Sequence, residues 1–142
     1  MPMSYEHNIR QNKTLEQLEN SNWGEPDYDS NLVTTMYRLR RKPLNEFTVE
    51  DLRILIGQNV GLPYLIPLAI ERLVEDPLVG GDFYRGDLMK NVLSIKAEFW
   101  KEHPDLYWEV DSIVVEVENL QETIEDELMP AAELFRGGRP DL

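Results

Sequence analysis

Two histidines and 27 acidic side chains are what this chain of 142 residues offers for catalysis or metal binding, and it has no cysteine. Nucleophilic catalysis needs a nucleophile, a base and a third group that orients the base. His7 falls in a polar opening stretch, and His103 stands between Glu102 and Pro104 at a helix junction. No partner pattern surrounds either. Neither follows a Glu at the three-residue spacing of di-iron bundles, and no helix turn carries two histidines. Asp82 is followed by Phe83 and Tyr84, not by the alternating oxygen ligands of a calcium loop. Gly80-Gly81 and Gly137-Gly138 have no Lys-Ser/Thr after them, so they read as turns and not as phosphate cradles. With so many acids, some carboxylate pairs fall close by chance and carry no signal. The expectation is a protein that is not an enzyme, with no catalytic, cofactor-binding or metal-binding residue.

The acids are informative in their distribution. From Asp105 to Phe135 there is no Lys or Arg, while Asp105, Glu109, Asp111, Glu116, Glu118, Glu122, Glu125, Asp126, Glu127 and Glu133 all lie there. A surface helix gains from opposite charges one turn apart and loses from like ones. Glu118 with Glu122, and Glu122 with Asp126, are like pairs at that spacing. If the apolar series Leu106, Val110, Ile113, Val117, Leu120, Ile124 faces the core, the acids form a one-sign stripe beside it. Such a stripe speeds encounter with a basic partner, and Glu109, Glu116, Glu118, Glu122, Glu125 and Asp126 are the candidate partner-binding residues. A second reading stays open: a solvated face neutralised by cations from other helices, for which Arg38, Arg40, Arg41 and Lys42 are available. That short basic run reads as internal ion pairing or helix capping, not as a nucleic-acid patch.

The elements that would position these groups are helical throughout. Thr14 with Gln17 has the capping-box pattern and opens a short helix to about Asn20. Ser21 to Ser30 is loop chemistry, with Trp23 expected to fold back as an anchor. Ser30 or Asn31 caps a helix through Leu32, Val33, Met36 and Leu39, stopped by Pro43. Thr48 caps the next, with Glu50 and Asp51 in its first turn. Pro63 suits the first turn of another helix, and Pro67 either kinks it or marks its true start. Asp87 and Ser94 are expected as caps of two further helices. The last helix begins near Pro104, follows a coiled-coil-like seam and is interrupted at Pro130. The predicted architecture is all-α: a flexible arm over residues 1–13, a single domain of several short helices and one long acidic C-terminal helix over 14–136, and a tail over 137–142.

The whole-chain values agree. A hydrophobic fraction of 42% suits a globular domain. A net charge of −13 repels nucleic acids and anionic membranes and attracts basic proteins. Without cysteines there are no disulfides and few routes to structural zinc. No apolar run approaches the roughly 20 residues of a membrane span, and the opening residues have no signal-peptide core. The expectation is a soluble cytoplasmic protein.

Several blocks of the chain resemble one known family. Trp23-Gly24-Glu25-Pro26, Leu39-Arg40-Arg41-Lys42-Pro43-Leu44, Thr48 to Gln58, Gly61-Leu62-Pro63 with Pro67-Leu68-Ala69, and Asp82-Phe83-Tyr84 with Gly86-Asp87-Leu88 occur in order over roughly residues 14 to 95. They resemble immunity proteins of contact-dependent growth-inhibition systems of Gram-negative bacteria. The resemblance implies a cytoplasmic protein with no catalytic activity. Such a protein binds a cognate toxin domain, often a nuclease, and blocks its active site or substrate surface. It assigns no interface residue, because surfaces matched to one toxin diverge. Two other readings remain. One is an acidic helical adaptor or scaffold that binds a basic partner or self-associates through its last helix, although a monomer is favoured. The other is a carboxylate-based hydrolase, which only the acid count motivates.

Overall fold

The protein is described by a computed structural model over residues 11–27 and 30–141. Its helices are α1 (Leu15–Leu18), α2 (Asn31–Leu39), α3 (Val49–Gly57), α4 (Leu62–Glu75), α5 (Asp87–Leu93), α6 (Ala97–Glu102), α7 (Pro104–Thr123) and α8 (Met129–Gly137). A 3-10 turn covers Leu44–Glu46, and a π-helical segment over Ile124–Leu128 joins α7 to α8. The described residues contain no strand, and the one extended pairing is an isolated bridge between Gly80 and Arg85. The all-α expectation holds. His7 and most of the opening arm lie outside the described residues. Within them, Leu44 N–H donates to the Lys13 carbonyl and the Asn45 amide to Asn12, at 3.0 and 2.9 Å.

Local chemistry starts the helices where the sequence places them. Thr14 and Thr48 each accept the N–H of the third helical residue, and Gln17 and Asp51 reach back to close both capping boxes. α1 is shorter than predicted, ending at Leu18. Pro67 lies inside α4 and does not start it. Gly61, at φ +67°, turns the chain from α3 into α4, and a Cβ there would stand 2.7 Å from Leu15 Cδ1. Two predicted caps fall elsewhere. Ser94 closes α5 by donating to the Lys90 carbonyl at 2.7 Å, so α6 opens from Lys96 with no side-chain cap. Asp87 is the first residue of α5 after Gly86, and its carboxylate turns away from the helix into the preceding loop.

The core gathers Leu15, Leu39, Leu52, Leu55, Ile56, Leu65, Ile66, Leu73, Leu88 and Val92, all essentially inaccessible. α3 lies against α4 and α5, and α4 against α7. Each buried Leu or Ile contributes about 1.5–3 kcal/mol relative to exposure. Beside this core, Asp87 is buried and accepts the backbone N–H groups of Gly81, Phe83 and Tyr84 at 2.7, 3.1 and 3.3 Å. Arg53 Nε is 3.8 Å from the same carboxylate and holds Glu50 through two hydrogen bonds, while Glu50 accepts the Asp82 N–H. Burial alone would raise the Asp87 carboxyl, but the three N–H donors and Arg53 outweigh it, and the group is held below its ordinary range. Glu50 is lowered chiefly by its hydrogen bonds to Arg53.

α7 leaves the core partway along. Val110 and Ile113 are buried, Leu106, Val117 and Leu120 are half-buried, and Ile124 is 43% exposed. Beyond Leu120 every residue to Gly137 is exposed except Ala132, which is half-buried. The expected seam is therefore a core contact in its first half only. Pro130 does not interrupt the helix. A proline lacks an N–H and collides with the carbonyl four residues back. Here the preceding turn is widened, with Met129 N–H reaching the Ile124 carbonyl five residues back, and the helix continues to Gly137. From Pro104 the rod extends roughly 50 Å.

Replacing Gly61 with Ala is expected to destabilise the protein by about 1–2 kcal/mol, because the new methyl meets both a left-handed backbone and Leu15; equilibrium denaturation measures it. Asp87→Asn is expected to cost about 2–4 kcal/mol at neutral pH. Because folding lowers the Asp87 and Glu50 pKa values, their contribution is complete above the unfolded values near pH ~4 and fades as pH falls through the folded ones. The stability–pH profile of Asp87→Asn should accordingly be flatter than wild type below about pH 4.

Candidate partner-binding surface

The basic run after α2 decides which acids remain uncompensated. Arg40 is buried, pairs with Glu19, donates to the Ser21 carbonyl and lies 4.1 Å over the Trp23 ring. Trp23 also meets Tyr37 edge-on, which is the anchoring role expected of it. Arg41 pairs with Glu16 and Glu25, and Lys42 with Asp51 at 2.6 Å. Only Arg38 occupies the last turn of α2. Internal ion pairing is thus the role of residues 40–42, and their acids come from the amino-terminal half. Among the described residues, no ion pair involves an acid between Asp105 and Phe135.

All six candidate residues, Glu109, Glu116, Glu118, Glu122, Glu125 and Asp126, are exposed. They do not share one stripe. At about 100° per residue, Glu109 and Glu116 stand within roughly 20° of each other, whereas Glu118 is turned about 200° from Glu116. Glu122 follows Glu118 on that other flank. Glu125 and Asp126 fall in the π segment, where Glu125 accepts from the Gln121 amide at 3.1 Å.

Glu109 and Glu116 line a groove between the end of α4 and α7, with a volume of about 680 Å³. Its floor is Ile70, Leu73 and Ile113, its apolar walls include Val74 and Leu120, and its rim carries Glu75, Asp76, Glu109 and Glu116. Among the described residues, no Lys or Arg lines it. Arg72, the cation of the last turn of α4, donates to the Phe47 carbonyl instead. Reasoning from sequence missed Glu75 and Asp76. The available signal was two acids at a helix C-terminus, the end where the dipole disfavours negative charge.

The junction of α6 with α7 carries a run of aromatic contacts that sequence reasoning also missed. Phe99 meets Trp100, Trp100 meets Tyr107, and Tyr107 meets Trp108, with centroids 5.1, 6.2 and 5.0 Å apart. Trp108 remains 63% exposed. His103 stacks on Phe99 at 4.4 Å, so it packs as an aromatic residue. Among the described residues, no group of three His, Asp or Glu side chains is arranged to hold a metal ion, and no helix is long and apolar enough to cross a membrane.

Replacing Glu122 with Lys turns the repulsion with Glu118 into an attraction of favourable orientation. The melting temperature should rise by ~1–2 °C in low salt, with the gain reduced at 0.5 M salt.

A search of curated proteins returned no match. Residues 17–110 match the family described as CDI immunity proteins, where CDI denotes contact-dependent growth inhibition. The match spans α2 to α6 and the start of α7, and of the six candidate acids it includes Glu109 alone. Since it covers well over half of the chain, this protein belongs to the CDI immunity protein family.

Proposed function

We propose that this protein neutralises a cognate CDI toxin domain, a nuclease with a cationic substrate surface, by covering that surface with the acidic α7 and the π segment that follows it. The observation that carries the reading is the run from Asp105 to Phe135, which holds ten acids, lacks any Lys or Arg, and takes part in no ion pair among the described residues. Like charges along a helix reduce its stability, so their accumulation on an exposed rod favours a role outside folding. A basic partner supplies the missing counter-charges. An acidic protein bound over a nuclease's basic surface excludes a phosphate backbone by occupying the same potential.

In this reading the protein is a cytoplasmic inhibitor without catalysis or cofactor, acting as a monomer that binds one toxin domain and neither nucleic acid nor membrane. Co-expression with the toxin domain encoded immediately upstream should rescue growth, and continued killing would refute the function. The association rate constant is expected to fall by about tenfold or more between low and physiological ionic strength, because steering by exposed charge is screened. Stopped-flow mixing measures it, and a rate indifferent to salt would remove electrostatic steering from the account.

A further inference from the structure

The groove between α4 and α7 differs from the rest of the acidic helix because it joins charge to a built apolar floor. Ile70, Leu73 and Ile113 are buried beneath it, while Val74 at its edge is 67% exposed. Four carboxylates, from α7 and from the end and C-cap of α4, surround that floor, and among the described residues no Lys or Arg lines it. Glu75 stands in the last turn of α4 and Asp76 is its C-cap, so two acids add to the negative end of the helix dipole. Asp76 has a local task, accepting the Leu78 N–H at 3.0 Å. Glu75, Glu109 and Glu116 form no ion pair among the described residues.

We propose that this groove is the anchoring site for a basic amphipathic segment of the toxin domain: an apolar side chain seated between Val74 and Leu120 above Ile113, flanked by Lys or Arg reaching Glu75, Glu109 and Glu116. The inference rests on the toxin-neutralising reading and assigns its strong contact to one place. Charge complementarity selects the occupant. A second copy of this chain brings net charge −13 to a carboxylate rim, and its own long helix lacks cations from Asp105 to Phe135. A volume of about 680 Å³ accommodates one or two large side chains rather than a whole helix. Partly desolvated charge pairs beside an apolar contact govern how long a complex lasts, whereas exposed rim charges mainly govern how fast it forms. The groove therefore holds, and the outer acids steer.

Two charge-reversal variants of the full chain separate these roles, since each changes net charge equally on the same helix. Glu109→Lys with Glu116→Lys alters the groove, and Glu118→Lys with Glu122→Lys alters the outer flank. A third variant, Ser112→Trp, fills the groove without changing charge; Ser112 is exposed, and thermal unfolding checks that each variant folds. Binding to the purified upstream-encoded toxin domain is followed by surface plasmon resonance at 150 mM salt. The groove reversal and Ser112→Trp should each accelerate dissociation by about tenfold or more, and the outer-flank reversal should leave dissociation within about threefold while slowing association. Equal effects of the two reversals, or unchanged dissociation with Ser112→Trp, would overturn the groove assignment while wild-type binding leaves the neutralising function standing. If wild type itself fails to bind, both fall. Sedimentation showing a wild-type dimer that the groove variants convert to monomer would identify the occupant as a second copy and equally overturn the proposal.

Discussion

The molecule is organised by where its few cations go. Arg40, Arg41, Lys42 and Arg53 are bound to Glu19, Glu16, Glu25, Asp51 and Glu50, all of them in the first half of the chain. These pairs are local ties of the fold. Arg40 is buried under Trp23, Lys42 steadies the aspartate that closes the α3 capping box, and Arg53 joins α3 to Asp87 of α5 and to Phe83 in the loop ahead of it. A buried guanidinium left without its carboxylate would carry an uncompensated charge. These four cations are thus committed to the fold, and none of them reaches the carboxylates of α7, most of which face solvent.

This division separates scaffold from surface. The family match over residues 17–110 includes the Thr48 capping box, the Gly61 turn and most of the ion pairs. At Gly61 a Cβ would meet both a left-handed backbone and Leu15, and at Gly57 it would displace the Asn91 amide, which donates to the Arg53 carbonyl. Almost the whole acidic helix lies beyond the match. A protein that must fit one partner and reject similar ones gains from a constant scaffold carrying a variable, rigid element. The helix leaves the core after Ile113, so its outer residues can be replaced without disturbing a buried neighbour.

The continuity of that projecting rod has a specific origin. Pro130 would end an ordinary helix, yet the π segment before it widens the turn and lets the axis continue. Without the extra residue in that turn, the Pro130 ring would press on a carbonyl of the preceding turn. The exposed Leu128, Met129, Leu134 and Phe135 lie on the continuation, so the widened turn determines how much apolar surface the protein presents beyond its domain.

Much of the architecture was readable in the chain itself. Thr14, Thr48, Pro63 and the apolar spacing of each helix act within a few residues, and local hydrogen bonding and side-chain periodicity need no distant partner. The charge asymmetry and the family blocks were legible for the same reason. What the sequence could not decide were pairings between residues far apart in the chain. Asp87 looked like a helix cap because caps and loop-bound carboxylates share a residue type, and only the fold brings the Gly81, Phe83 and Tyr84 N–H groups around it. Helical spacing alone already divides the six acids between two flanks, since Glu118 is turned about 200° from Glu116; what spacing does not give is the neighbours of each flank. Packing of α4 against α7 sets Glu109 and Glu116 beside Glu75 and Asp76 over an apolar floor and leaves Glu118 and Glu122 on the other flank. Local chemistry alone determined the helices; which of their faces meet followed from the burial of apolar surface over the whole chain, a property that no short segment carries.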